Sequence, residues 1–125
     1  MKILVVDDSL MDRKLVANML KKAGVQNPIL EAADGEDALK VLSANYQDIC
    51  LILLDWQMPR MNGIEFMKGI VKVPEVSLIP IVMVTASGSD DNKKFAQEVN
   101  PHLAGYVTKP FKPDALIQTV KPFLK

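Results

Sequence analysis

Four apolar runs in this 125-residue chain each end on a residue with reactive chemistry. Residues 3–6 stop at Asp7-Asp8, Ile49–Leu54 at Asp55, residues 78–84 at Thr85, and Gly105–Thr108 at Lys109-Pro110. Short, almost unbroken apolar runs are what strands covered on both faces require, and such strands belong to parallel sheets. In an open parallel sheet, ligands bind beyond the carboxyl ends of the strands. The four ends can therefore share one pocket. Three carboxylates, a hydroxyl and an ammonium gathered there suit a divalent cation and a phosphoryl group.

The spacing between runs supplies the rest of the fold. Strand one spans Lys2–Val6; Ser9, with Asp12 three residues on, then reads as a helix N-cap. Met11, Leu15 and Met19, with Val16 and Leu20, recur at helical spacing until Gly24, predicting an amphipathic helix with these residues on its apolar face. Strand two is expected at 28–32, before the Asp34-Gly35 break and a helix using Ala38, Val41 and Leu42. Strand three, 48–54, leads through Pro59 and Gly63 to a helix with Ile64, Met67, Ile70 and Val71 on one side. Strand four is expected at 78–84, with Pro80 near its start, where a missing N–H is tolerated. Polar residues 87–92 introduce a fourth helix whose apolar set (Phe95, Ala96, Val99) is the thinnest. Strand five, 104–108, precedes a last helix using Leu116, Ile117, Val120 and Leu124. Five such units with short connections predict an α/β doubly wound sheet in a single domain covering 1–125.

Lys plus Arg and Asp plus Glu both number 15, so the net charge is zero, and nothing in that balance points to a nucleic-acid or membrane partner. The N-terminal apolar stretch is too short for a signal peptide or a membrane span, so a cytoplasmic protein is expected. Cys50 is the only cysteine; inside an apolar run it reads as a buried, reduced thiol.

Asp7, Asp8 and Asp55 repel one another unless a cation neutralises them. Mg²⁺, with its preference for oxygen ligands and retained waters, matches that need. For an isolated Asp pair, charge placed near a helix start is the simpler explanation; a third acid, with Lys109 and Thr85 also at strand ends, outweighs it. Asp55 is the candidate nucleophile, able to form an aspartyl phosphate. Such a transfer needs positioning and neutralisation of phosphoryl oxygens, which suit Lys109 and the Thr85 hydroxyl.

Together and in order, Val6-Asp7-Asp8-Ser9, Asp55-Trp56-Gln57-Met58-Pro59-Arg60-Met61-Asn62-Gly63, Val84-Thr85-Ala86 and Tyr106-Val107-Thr108-Lys109-Pro110-Phe111 resemble the receiver domain of two-component response regulators. The resemblance spans essentially the whole chain. It implies a flavodoxin-like five-stranded sheet of order 2-1-3-4-5 with five helices, and Asp55 as phosphoacceptor. It further implies Mg²⁺, replaceable by Mn²⁺, held by Asp8, Asp55 and the backbone carbonyl of Gln57, with Asp7 acting through a metal-bound water. Lys109 would bind a phosphoryl oxygen, and the Lys109–Pro110 peptide would be cis. Thr85 and Tyr106 would form the switch pair that remodels a face made by helix four, strand five and helix five. Gln57 and Ser87 would tune dephosphorylation.

The partners implied are a sensor histidine kinase and a downstream protein target met through that face; a monomer is expected, acting as a switch rather than an enzyme on external substrates. A chemotaxis role fits the start of the chain and the Asp55-Trp56 pair. A phosphorelay intermediate, or a receiver excised from a longer regulator, is the alternative. The chain departs from the family at 99–105, where Pro101 should end helix four early and make the partner surface unusual.

Three other readings fare worse. A flavin carrier of this fold would place a phosphate beside Asp7-Asp8, which repel it. A haloacid-dehalogenase-type aspartyl-phosphate phosphatase needs a second Asp where this chain has Gln57. A degenerate receiver would have lost Asp8, Asp55 or Lys109, and all three are present.

Overall fold

The apolar runs become the inner layer of the molecule because both of their faces are covered by helices. The computed structural model describes all residues, 1–125. Its strands are β1 (Lys2–Val6), β2 (Ile29–Ala32), β3 (Ile49–Leu54), β4 (Ile81–Thr85) and β5 (Gly105–Thr108). Alternating with them are α1 (Leu10–Lys22), α2 (Gly35–Asn45), α3 (Gly63–Ile70), α4 (Asp90–Val99) and α5 (Pro113–Val120). All strand pairs are parallel, in the order β2-β1-β3-β4-β5.

Period-two alternation sorts the strand residues into two cores. Leu4, Val6, Ile52, Leu54, Ile81 and Met83 face α2, α3 and α4, where they meet Ala38, Phe66, Met67 and Ala96. Ile3, Val5, Leu51, Leu53, Val82 and Val84 face α1 and α5 and meet Val16, Leu20, Leu116 and Val120. Every residue of β3, the central strand, is buried. Cys50 is buried and unpaired by disulfide, as expected.

Three expectations are corrected. β4 begins at Ile81, three residues later than the apolar run suggested; residues 74–79 form turns, Pro80 lies immediately before the strand, and Leu78 is 74% exposed. A proline has no N–H for the ladder, so the strand forms after it. Only Val16 and Leu20 of the α1 set are buried; Met11 is 82% exposed and Leu15 50%. Leu124 lies beyond α5, past a short 3₁₀ turn at Lys121–Phe123. Pro101 does what the sequence implied, and α4 stops at Val99.

Candidate functional site

Backbone registry brings the acids together. Val6 pairs with Leu54 across β1 and β3, so the next residues, Asp7 and Asp55, lie side by side. The ladder continues through them: the Asp7 N–H donates to Ala32 O at 3.0 Å and the Asp55 N–H to Val6 O at 2.9 Å. On the far side, Thr85 pairs with Thr108, and the Lys109 N–H donates to Thr85 O at 2.9 Å. The Lys109–Pro110 peptide is cis, as the resemblance implied. Sheet hydrogen bonds thus fix the main chain at each of these positions before any side-chain contact is made.

One carboxylate oxygen from each of Asp7, Asp8 and Asp55 can be chosen so that all lie within 4.8 Å of one another. Asp7 and Asp55 are buried, while Asp8 faces solvent. Three hard oxygen donors around one point fit a small divalent cation such as Mg²⁺ or Mn²⁺. Lys109 Nζ reaches Asp7 Oδ2 at 2.6 Å, Asp12 Oδ2 at 2.9 Å and Asp55 Oδ2 at 3.5 Å. Burial pushes the Asp7 carboxyl above its ordinary pKa despite the opposing hydrogen bonds from Lys109 and Ser9. Burial works against the Lys109 ammonium, but its bonds to Asp12 and Asp7 and the charge of Asp55 outweigh that, holding its pKa well above the usual lysine value.

Thr85 is buried, and its Oγ1 accepts the Ser87 N–H at 3.2 Å. Its own hydroxyl proton remains available to a further acceptor. Ser87 O in turn accepts the Tyr106 hydroxyl. A continuous path therefore runs from Thr85 through Ser87 to Tyr106, whose ring is half-buried and lies 5.8 Å from Lys93 Nζ of α4. Burial and the Asp55 charge raise the Tyr106 pKa. Asp8, Asp12, Asp55, Gln57, Thr85, Ser87 and Lys109 all line one cavity of about 660 Å³.

The chain matches the response regulator receiver domain model over residues 3–121. It belongs to that family. A chemotaxis protein CheY homolog of Campylobacter jejuni subsp. jejuni is 35% identical, with 99% of this chain and 92% of that protein aligned. The chemotaxis protein CheY4 of Vibrio cholerae superposes with a TM-score of 0.85 at 32% identity, covering 98% of both chains. A CheX–CheY–BeF3–Mg²⁺ complex from Borrelia burgdorferi contains a chain matching at TM-score 0.86 and 26% identity, over 99% of this chain and 90% of that one. The receiver fold and the strand order implied by the sequence are thereby established.

Several contacts of this receiver were invisible in the motifs. Ser9 alone caps α1, by accepting the Asp12 N–H, and the Asp12 carboxylate takes no part in the cap. The Ser9 N–H is already taken by Asp7 Oδ1 at 2.9 Å, so the Asp12 carboxylate turns to Lys109. Nothing in the local sequence marks that contact, because Asp12 and Lys109 stand 97 positions apart.

Arg60, at φ 62°, pairs with the fully buried Asp34. That pair, with the Gly35 N–H donating to Met61 O at 2.9 Å, ties the loop after Asp55 to the start of α2. Phe95, assigned to the α4 core stripe, is 42% exposed and packs on Trp56 with ring centroids 6.1 Å apart.

Proposed function

We propose that this receiver accepts a phosphoryl group on Asp55 from the phosphohistidine of a sensor histidine kinase. An Asp55 carboxylate oxygen attacks phosphorus, the P–N bond breaks, and the imidazole leaves with the bonding pair. The product on the protein is an acyl phosphate. The observation that carries this reading is the placement of Asp55 beside Asp7 and within 3.5 Å of Lys109 Nζ.

Asp7, Asp8, Asp55 and the Gln57 carbonyl are the groups that would hold Mg²⁺, or Mn²⁺ in its place. When bound, the cation offsets carboxylate repulsion and the negative charge of the phosphoryl oxygens. Lys109 serves a phosphoryl oxygen as a compact, multiply donating cation. The Thr85 hydroxyl donates to another. Gln57 and Ser87, on the cavity wall, set how readily water reaches the acyl phosphate and so tune its lifetime.

Output follows from the same contacts. Movement of Thr85 toward the phosphoryl group pulls on Ser87, and through the Ser87 carbonyl on Tyr106. The face of α4, β5 and α5 changes, biasing a two-state equilibrium read by a protein partner. The protein works as a monomeric cytoplasmic switch, without turnover of an external substrate, and its relatives support a place in chemotaxis. No helix is long and apolar enough to cross a membrane.

The test is intact-mass spectrometry with acetyl phosphate and Mg²⁺. An adduct of about 80 Da is expected on the wild type and not on Asp55→Asn. An adduct of equal yield on Asp55→Asn would remove Asp55 as acceptor.

A further inference from the structure

Asp12 has no task in the transfer just described, yet it holds one of the shortest contacts in the site. Its Oδ2 lies 2.9 Å from Lys109 Nζ, nearer than Asp55 Oδ2 at 3.5 Å. Together with Ala86 and Lys109 it lines two cavities: the acidic one containing Asp55, and an apolar one of about 370 Å³ formed with Leu15, Val16, Pro110 and Phe111. Asp12 therefore draws the ammonium from the α1 side, at the rim of the space a phosphoryl donor must enter.

We propose that Asp12 is a charge gate on phosphoryl acceptance, competing with the incoming phosphoryl group for Lys109 and repelling it electrostatically. This rests on Asp55 being the acceptor. An ammonium has three N–H donors, and here they face Asp7, Asp12 and Asp55. A phosphoryl oxygen can be served only when one partner gives way. Asp7 and Asp55 are buried and held by the strand ladder, whereas the Asp12 side chain is 40% exposed on the first turn of α1. Asp12 is the partner that can be displaced into water. Its displacement is then a barrier to loading that the other acids do not impose.

The residue positions Lys109 and does not react itself, so its test must separate charge from structure. Loading by acetyl phosphate with Mg²⁺ is followed through Trp56 emission and confirmed by intact mass. Asp12→Asn keeps the size and backbone and is expected to load roughly fivefold faster, the factor for one unit charge about 4 Å away in water. Asp12→Glu keeps the charge and should load at close to the wild-type rate.

Mg²⁺ affinity, titrated separately by Trp56 emission, should hold or fall in Asp12→Asn, since a negative charge near the cation has gone. Faster loading with no gain in metal affinity is a signature that general loosening of the site does not produce. The Asp12→Asn advantage should also shrink as salt rises from about 0.05 to 0.5 M.

An Asp12→Asn rate equal to or below that of a normally loading wild type overturns the gate alone. So does a matching acceleration in Asp12→Glu. A wild type that forms no adduct defeats the acceptor reading instead.

Discussion

Lys109 concentrates the chemistry of the site in one side chain, bridging acids from β1, α1 and β3. Lys109→Ala removes the positive charge but leaves the oxygen donors in place. It should therefore retain or strengthen Mg²⁺ binding in a Trp56 titration. The phosphorylation-dependent change at α4 and β5, followed by hydrogen exchange, should be lost. An unaltered exchange response would show that Lys109 does not serve the phosphoryl group. Gly63 is constrained in a different way. A Cβ there would land well inside van der Waals contact of the Asp55 carbonyl oxygen, and the Gly63 N–H donates to Trp56 O at 2.8 Å. Gly63→Ala should displace the Asp55 backbone and weaken Mg²⁺ binding by at least about fivefold, the factor for the lower end of the cost of overpacking, about 1–3 kcal/mol. Isothermal titration would measure it.

At the scale of elements, the loop from β3 to α3 is secured at both ends by polar contacts. The Asn62 side chain accepts the Glu65 N–H at 2.9 Å and the Glu65 side chain accepts the Asn62 N–H at 3.1 Å, closing a capping box on α3. Arg60 supplies the second attachment, through Asp34 at the N-cap of α2. The Asp37 N–H, and after it the Arg60 guanidinium, hold the Asp34 carboxyl below its usual pKa against the effect of burial. A depressed carboxyl contributes stability that is present above its unfolded value, near 3.8, and is lost as pH falls through the folded one. Acid unfolding should thus begin below about pH 4 in part through Asp34, and Asp34→Asn should flatten that limb of a stability–pH curve. Leu53→Ala, at a buried position of β3, should cost about 2–5 kcal/mol in denaturant unfolding.

Over the whole molecule, the site and the proposed output face are joined by two physical routes. One is the hydrogen-bonded path from Thr85 through Ser87 to Tyr106. The other is the contact of Trp56, next to Asp55, with Phe95 on α4, over which Lys68 Nζ lies 5.7 Å from the ring centroid. Thr85→Ala should still accept phosphoryl, at reduced rate, but should not transmit it to Tyr106. Hydrogen exchange in β5 would then be the same with and without BeF3⁻ and Mg²⁺. A wild-type response in that variant would eliminate the threonine route. Binding to the folded state alone also stabilises the whole chain, by about 2.7 kcal/mol at a hundredfold excess over the dissociation constant. Mg²⁺ should accordingly raise the wild-type Tm, and Asp8→Ala, at an exposed position, should abolish that rise without unfolding the protein.

The sheet and its acidic rim were legible from residue order because the information there is local. A buried parallel strand must be apolar throughout, and the residue that follows it must stand at the sheet edge, so Asp7, Asp8, Asp55, Thr85 and Lys109 announced their placement. Local pattern failed where a choice between neighbours was made elsewhere in the fold. Met11 and Leu15 share the helical spacing of Val16 and Leu20, but α5 and the sheet cover only the face bearing the latter pair. Lys109 meets Asp12 across 97 positions, and Arg60 meets Asp34 across 26. Contacts of that kind depend on how four crossovers and the last helix stack, and no spacing along the chain encodes them. Sequence alone therefore determined which groups come to the rim; tertiary packing decided which of them share a charge, because Coulomb and hydrogen-bond energies depend on distances of a few ångströms that only the assembled sheet defines.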